Sequence, residues 1–233
     1  MKGFFITGTD TGVGKTVVSA MLGVLLKEKG FPHVAVRKPI ETGCTVFDNT
    51  LMPEDGLFLK NITDSAEDIG VITPLRFTHP LAPAAAAGLE NTTIDVDEIV
   101  QSFRNIDSST VAVVEGVGGL LVPITKTFFV SDLIKELDLP VILVCTNRLG
   151  TINHTLLSLE HMKTKGITVA GIIFNNNIIT GGRDISIGTN IGLIRQLTAV
   201  PVIAALPFLD TINYNTLVDV SKTLDYGIIR SFL

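Results

Sequence analysis

The fold of this chain is decided by the stretch Gly8-Thr9-Asp10-Thr11-Gly12-Val13-Gly14-Lys15-Thr16. An apolar run that predicts a strand (residues 2–7) precedes it, and Lys15 opens a predicted helix (residues 15–29). Glycines let the backbone curl so that successive N–H groups face phosphate oxygens, and the positive end of a helix adds to the attraction. In such a loop, Lys15 reaches the β- and γ-phosphates and the Thr16 hydroxyl binds magnesium. The stretch therefore predicts a phosphate-binding loop, or P-loop, for ATP with Mg²⁺.

The match to the strict motif has one departure. The motif has glycine six residues before the lysine, where this chain has Thr9, and Gly8 lies one residue too early. The alternative is a glycine-rich turn that contains Gly-Lys-Thr by chance. The strand before the loop and the helix after it favour the P-loop.

Strands and helices are predicted to alternate along the rest of the chain. The apolar runs are short, as in strands buried on both faces of a parallel sheet. Strand candidates are residues 2–7, 33–37, 110–115, 140–145, 168–175 and 201–206. Helix candidates are residues 15–29, 55–60, 82–88, 95–103, 131–136, 151–164 and 191–197, with a polar loop over 39–53. This order predicts right-handed βαβ units in one α/β domain, residues 1–233, with an open parallel sheet flanked by helices.

Composition narrows the functional classes. Hydrophobic residues make up 46% of the chain and charged residues 18%, yet no apolar run approaches the roughly 18 residues of a membrane helix. The net charge of −5 argues against nucleic acid as the main partner. The two cysteines, Cys44 and Cys145, suggest neither a disulfide framework nor a metal pair, and the N-terminus does not read as a signal peptide. We expect a cytoplasmic enzyme with no membrane or nucleic-acid partner.

Two charged residues end predicted strands. Glu115 follows the run 111–114 and precedes a glycine-rich turn, and Lys38 follows the second strand and precedes Pro39. Ligands of parallel sheets bind at the carboxyl ends of the strands, so Glu115 suits magnesium and Lys38 suits a phosphoryl group. For each residue the alternative is a solvated surface charge, and for Lys38 spacing alone does not separate the two.

Six segments, in this order and spacing, resemble dethiobiotin synthetases. They are residues 8–16, 38–43 (KPIETG), 114–119 (VEGVGG), 149–154 (LGTINH), 171–175 and 206–208. The resemblance implies a doubly wound parallel sheet and a homodimer with the substrate at the subunit interface. It also implies ATP-dependent carboxylation and ring closure of 7,8-diaminononanoate with CO₂ to dethiobiotin, releasing ADP and phosphate.

The resemblance also implies roles for individual residues. The catalytic residues would be Lys15 and Lys38, and the magnesium ligands Thr16, Asp55 and Glu115, with Glu54 left open as the alternative to Asp55. The nucleotide would be bound by Gly12, Val13, Gly14, Lys15, Thr16, Val17, Asp55, Glu115, Gly116, Val117, Gly118, Asn175, Asn176, Leu206, Pro207 and Phe208. The diamine would be bound by Thr11, Thr42, Gly118, Gly150, Thr151, Ile152 and Asn153. The last four open a helix, whose N-terminus suits a carboxylate.

Two other classes of ATP-dependent protein share this pattern. Amide-forming enzymes of cobalamin synthesis carry a glutamine-hydrolysing domain, for which we expect no room in this chain. Partitioning and septum-positioning ATPases carry an additional lysine early in the loop, where this chain has residues 9–11 (TDT). They also favour a basic amphipathic tail, whereas residues 223–233 contain one basic residue, Arg230. Both classes are disfavoured.

Overall fold

A six-stranded parallel sheet forms the centre of the structure, a computed structural model that describes residues 1–177 and 184–233. Its strands are β1 (Lys2–Gly8), β2 (Val34–Arg37), β7 (Val111–Gly119), β8 (Val141–Thr146), β9 (Val169–Asn175) and β10 (Val202–Leu206). Their order across the sheet is β10-β9-β8-β1-β7-β2, and every neighbouring pair is parallel. The prediction of a parallel α/β sheet is confirmed.

Helices cover both faces of this sheet. They are α1 (Lys15–Glu28), α2 (Glu54–Ile62), α3 (Ile69–Ile72), α4 (Pro83–Leu89), α5 (Val96–Arg104), α6 (Val130–Leu137), α7 (Thr151–Thr164), α8 (Ile187–Leu197), α9 (Tyr214–Ser221) and α10 (Tyr226–Arg230). Within the described ranges, none of them is long and apolar enough to cross a membrane.

The core consists of two hydrophobic clusters, one on each face of the sheet. Side chains alternate along a strand, so Phe4 and Ile6 of β1 pack with α1, α9 and α10, while Phe5 packs on the opposite face with α5, α6 and α7. All three side chains are fully buried. Burial on both faces explains why the strand sequences are continuous apolar runs rather than alternating ones.

The order of the strands places three predicted residues at one edge. Strands β1, β7 and β2 are neighbours, with Phe4 beside Val113 and Val36 beside the same residue on the other side. The loop 8–16 follows β1, Lys38 follows β2, and Glu115 lies within β7. Because parallel strands end at the same edge of a sheet, these residues meet there.

The prediction of a polar loop over residues 39–53 was wrong. Strand β3 (Ile40–Thr42) pairs in parallel with β6 (Leu75–Phe77), and β4 (Thr45–Phe47) pairs with β5 (Thr50–Met52) in a hairpin. Its two-residue turn, Asp48-Asn49, has positive φ at both positions, as the tight turns of hairpins require.

Other elements were missed or shifted. The sequence analysis did not predict α3 or the C-terminal helices α9 and α10. Helix α8 begins one turn earlier than predicted. A buried amide explains the earlier start, because Asn190 donates from Nδ2 to Asn147 Oδ1 (3.0 Å) and to the Arg148 carbonyl (3.1 Å). These bonds tie the first turn of α8 to the end of β8.

Candidate active site

A cleft of about 740 Å³ lies at the carboxyl edge of β1, β7 and β2. Seventeen residues line it, and twelve of them were predicted site residues. The predicted ones are Thr11, Gly12, Gly14, Lys15, Thr16, Val17, Lys38, Thr42, Asp55 and Glu115, together with Val117 and Gly118, and the others are Glu41, Pro80, Leu81, Ala82 and Val122. The P-loop, the strand-end acids and the KPIETG segment therefore share one cavity.

The P-loop runs from β1 into α1 along one wall of the cleft. The Lys15 ammonium lies inside the loop and donates to the Asp10 carbonyl (3.1 Å), and its side chain is almost entirely buried. Burial, reinforced by the nearby charge of Lys38, lowers the pKa of Lys15 to about 8. An anion in the loop would relieve both effects, so the loop favours phosphate.

Lys38 lies between the two predicted acids. Its Nζ donates to Glu115 Oε1 at 2.5 Å and to Asp55 Oδ2 at 2.7 Å. Lys38 and Glu115 are buried, whereas Asp55 is partly exposed to the cleft. The alternative of a solvated surface lysine is therefore wrong, and so is that of a surface position for Glu115.

The charges in this cluster fix one another's ionisation. Burial alone would lower the pKa of Lys38, but the charges of Glu115 and Asp55 raise it above its ordinary value. Burial likewise would raise the pKa of Asp55, but the charge of Lys38 lowers it. The cluster thus holds a protonated amine and an ionised carboxylate at neutral pH.

The oxygen atoms around Thr16 suit magnesium. The Thr16 hydroxyl donates to Glu115 Oε1 (2.9 Å), while Glu115 Oε2 is buried and has no hydrogen-bond partner in the described part of the chain. An unpartnered buried carboxylate oxygen is costly unless a cation or a donor reaches it. A hydroxyl and carboxylates are ligands that Mg²⁺ accepts, alongside phosphate oxygens and water. Thr16, Glu115 and Asp55 therefore fit the predicted metal, and Glu54 instead accepts from the exposed Thr45 hydroxyl (3.2 Å).

Two asparagines, one at the end of β9 and one just after it, donate hydrogen bonds to the backbone of the P-loop. Asn175, which ends β9, donates from Nδ2 to the Val13 carbonyl (3.0 Å), and Asn177 donates to the Gly12 carbonyl (2.6 Å). Between them, Asn176 donates to the Leu206 carbonyl from both its backbone N–H (3.2 Å) and Nδ2 (2.8 Å). Of the predicted nucleotide-binding residues, Asn175 thus contacts the loop and Asn176 contacts Leu206, and all three lie outside the cleft lining.

The predicted carboxylate site lies outside this cleft as well. Gly150 precedes the first turn of α7 and provides no side-chain cap, and Leu149 donates its N–H to Asp184 Oδ2 (2.8 Å). Thr151 is buried, and its hydroxyl has no hydrogen-bond partner among residues 1–177 and 184–233. None of the residues Gly150, Thr151, Ile152 and Asn153 lines the cleft of the same chain.

The cleft also contains residues without a predicted role. Glu41 lies within the KPIETG segment, between Lys38 and Thr42, and the segment Pro80-Leu81-Ala82 also lines the cleft. Asn177 was missed beside two asparagines that were named. Glu41 could have been predicted from its position in the segment 38–43, which was expected to line the cleft. Because residues 39–53 were predicted to form a loop, no partner was expected for its carboxylate.

Solved structures share this fold. The cell-division ATPase MinD of Pyrococcus furiosus matches 96% of this chain and 98% of its own, with a TM-score of 0.54 and 14% identity. A ParA family ATPase of Chlorobium tepidum matches 97% of this chain and 93% of its own, with a TM-score of 0.54 and 15% identity. At such identities the likeness concerns the fold alone.

The parallel sheet and the loop after β1 define this protein as a P-loop ATPase. A family model described as an AAA domain matches residues 2–216. The ATP-dependent dethiobiotin synthetase BioD of Thermodesulfovibrio yellowstonii is 43% identical over 91% of this chain and 90% of its own. That of Bacillus licheniformis is 42% identical over 90% of this chain and 87% of its own. The chain belongs to the ATP-dependent dethiobiotin synthetase family.

Proposed function

We propose that this protein closes 7,8-diaminononanoate and CO₂ into the cyclic urea of dethiobiotin, with ATP as the phosphoryl donor, in biotin biosynthesis. One observation carries the proposal. The P-loop residues Lys15 and Thr16 converge with Lys38 and Glu115 in one cleft, in a chain more than 40% identical to dethiobiotin synthetases. The relatives support the reaction, and the geometry of the cleft supports the roles proposed for its residues.

The cleft binds the triphosphate through the loop backbone and Lys15. Thr16, Asp55 and Glu115 would hold Mg²⁺, which lowers the charge on the phosphate oxygens during transfer. Lys38, kept protonated by its two carboxylate partners, is placed to stabilise charge on the phosphoryl group. Asn175 and Asn176, with Leu206, Pro207 and Phe208, would bind the adenine end of the nucleotide, which the contact of Asn175 with the loop at Val13 supports.

The reaction has three balanced steps. One amine of the diamine attacks CO₂ and loses a proton, which gives a carbamate. A carbamate oxygen then attacks the γ-phosphorus, and ADP leaves. The second amine attacks the carbonyl carbon and loses a proton, and phosphate leaves as the ring closes. Because both amines belong to one bound molecule, the last step is intramolecular, and the protein contributes position and charge rather than a nucleophile.

A second copy of the chain completes the substrate site in this proposal. The N-terminus of α7 presents backbone N–H groups, which suit the carboxylate of the diamine. The adjoining surface is apolar, with Leu157 61% and Leu197 57% exposed on one groove. Contact between two copies through this surface would bury both leucines and bring one chain's α7 to the other's cleft.

The remaining expectations concern the chain as a whole. Residues 1–233 form one domain in this proposal, since the two hydrophobic clusters pack on opposite faces of the same sheet. A reducing compartment such as the cytoplasm suits the two cysteines, which are both free and buried.

The proposed function is tested by the formation of a ¹³C-labelled product. Purified protein is incubated with ATP, Mg²⁺, 7,8-diaminononanoate and ¹³C-bicarbonate, and the product is analysed by mass spectrometry. We expect dethiobiotin that carries one ¹³C atom at the ring carbonyl. Release of ADP without a labelled ring would contradict the proposed function.

A further inference from the structure

Glu41 is a buried carboxylate that the reaction described above does not use. It lies in β3 with 5% of its surface exposed, and it borders the cleft. Its two oxygens accept different backbone N–H groups, Oε1 from Asp55 (2.9 Å) and Oε2 from Gly56 (3.0 Å). Both donors belong to the first turn of α2.

This pair of bonds replaces the usual cap of α2. The first N–H groups of a helix have no partner within the helix, and the residue before α2 is Pro53, whose side chain makes no capping bond. A carboxylate at a helix N-terminus also interacts favourably with the helix dipole. Glu41 therefore fixes the start of α2 from a different element, β3.

The first turn of α2 also packs closely against Thr73. A Cβ atom on Gly56 would lie 2.1 Å from Thr73 Oγ1, so the helix packs against Thr73 as closely as a glycine allows. The first turn of α2 is thus held between Glu41 and Thr73. Its backbone has little room to shift.

The turn that Glu41 fixes contains Asp55. Asp55 Oδ2 accepts from Lys38 Nζ (2.7 Å), and Lys38 begins the segment that continues into β3 and Glu41. The chain, the Glu41 bonds and the ion pair therefore form a closed ring of contacts. A change in Glu41 alters the position of Asp55 relative to Lys38 and Thr16 without touching the phosphate loop.

We propose that Glu41 is a positioning residue, which holds the first turn of α2 so that Asp55 faces the magnesium site and Lys38. This inference rests on the proposed function, in which Asp55 is a metal ligand. Two other roles are possible for a carboxylate at this position: binding an amine of the substrate directly, and capping α2 for stability alone. The three roles give different results in one set of variants.

The experiment compares Glu41→Ala and Glu41→Gln with Asp95→Ala. Asp95 caps α5 by accepting the N–H of Glu98 (3.0 Å) and lies outside the cleft, so its variant measures the loss of a helix cap by itself. Four quantities are measured for each protein. They are the affinity for Mn²⁺ by electron paramagnetic resonance with a non-hydrolysable ATP analogue, the values of kcat and diamine KM, and the Tm.

We expect Glu41→Ala to weaken Mn²⁺ binding by about tenfold or more, the usual effect of losing a residue that orients a metal ligand. Its kcat should fall, and its diamine KM should stay within about twofold of the wild-type value, because a group that acts through Asp55 makes no uniform contact with the substrate. Glu41→Gln keeps one acceptor oxygen and should recover part of the Mn²⁺ affinity. This variant carries the test if Glu41→Ala does not fold. Asp95→Ala should lower Tm and leave Mn²⁺ affinity and kcat unchanged.

Two results would overturn the inference. A higher diamine KM with unchanged Mn²⁺ affinity would make Glu41 a substrate-binding residue. A lower Tm with unchanged Mn²⁺ affinity and kcat, as for Asp95→Ala, would make it a cap for stability alone. The Mn²⁺ measurement uses no diamine, so a wild-type protein that made no dethiobiotin would contradict the proposed function separately.

Discussion

Lys38 Nζ and Glu115 Oε1 lie 2.5 Å apart in a buried ion pair that joins the carboxyl ends of two neighbouring strands, β2 and β7. The pair is 77 residues apart in sequence. Because both groups are buried, each is expensive to leave without the other, so Lys38 and Glu115 also hold the sheet edge together.

Replacement of Lys38 should therefore affect both activity and stability. We expect Lys38→Met to lower kcat by at least about a hundredfold, because charge on the phosphoryl group loses a donor. The free energy of unfolding of the ligand-free protein should fall by about 3–5 kcal/mol, the usual cost of an unpaired buried charge. The double variant Lys38→Met/Glu115→Gln should recover part of this stability in urea unfolding and none of the activity. If the double variant lost as much stability as the two single variants together, Lys38 and Glu115 would not stabilise each other.

Loss of Glu115 should appear as a higher demand for magnesium. We expect Glu115→Ala to raise the Mg²⁺ concentration for half-maximal activity by at least about tenfold, since even outer-shell partners of metals have effects of this size. The control is Glu67→Ala, which removes a carboxylate that pairs with Arg37 outside the cleft. Titration of activity with Mg²⁺ separates the two, and equal shifts in both variants would contradict the ligand role.

Lys15 should be required even when ATP saturates the enzyme. We expect Lys15→Ala to lower kcat by at least about a hundredfold, because its charge acts on the phosphate that is transferred. The control is Lys135→Ala, whose lysine donates to the Gly166 carbonyl (3.0 Å) away from the cleft. Near-normal turnover of the Lys15 variant at saturating ATP would refute the P-loop assignment.

Gly14 should matter for nucleotide binding beyond its backbone conformation. Gly14 and Gly30 have nearly the same positive φ, 88° and 84°, but a Cβ on Gly14 would lie 2.1 Å from Asn175 Nδ2, whereas a Cβ on Gly30 would meet nothing within 4 Å. Alanine at either position should cost about 1–2 kcal/mol of stability from the left-handed backbone. Only Gly14→Ala should also weaken ATP binding in calorimetry, because it displaces the asparagine that braces the loop. Equal ATP affinities in the two variants would contradict this role of Asn175.

The two thiols should be unreactive in the folded protein. Burial raises the pKa of Cys44 to about 11 and that of Cys145 to about 12. At pH 8 a thiol with such a pKa is thiolate in about one molecule in a thousand or fewer, and thiolate is the reactive form. We expect no reaction of the native protein with Ellman's reagent, and two thiols after unfolding in guanidinium. Rapid reaction of either thiol at pH 8 without denaturant would contradict the buried positions.

Much of the site followed from local sequence because the chemistry and the strand ends are adjacent in the chain. The loop 8–16 carries a local motif that predicts phosphate binding, and Glu115 was predicted from its place after an apolar strand. A parallel sheet brings strand ends together whatever the order of its strands. These residues therefore needed no knowledge of the topology to be placed at one edge.

The pairings between distant segments could not be read in the same way. That Lys38 meets Glu115 depends on β2 being the neighbour of β7, and chain spacing does not determine that order. The partners of Glu41 are backbone N–H groups of α2, which every non-proline residue has, so the sequence does not indicate them. The hairpin 45–52 did have a local signal, the Asp48-Asn49 turn, but its strands of three residues are too short to show a period.

The measurement that tests the central claim most directly is ADP release from ATP and Mg²⁺, with 7,8-diaminononanoate and bicarbonate each present or omitted. The account predicts rapid ADP release only when both are present, because the phosphoryl group is transferred to a carbamate that needs both to form. Slow release that is indifferent to the diamine would contradict the ligase. It would leave the P-loop in place and direct attention to the partitioning ATPases, whose fold this chain shares.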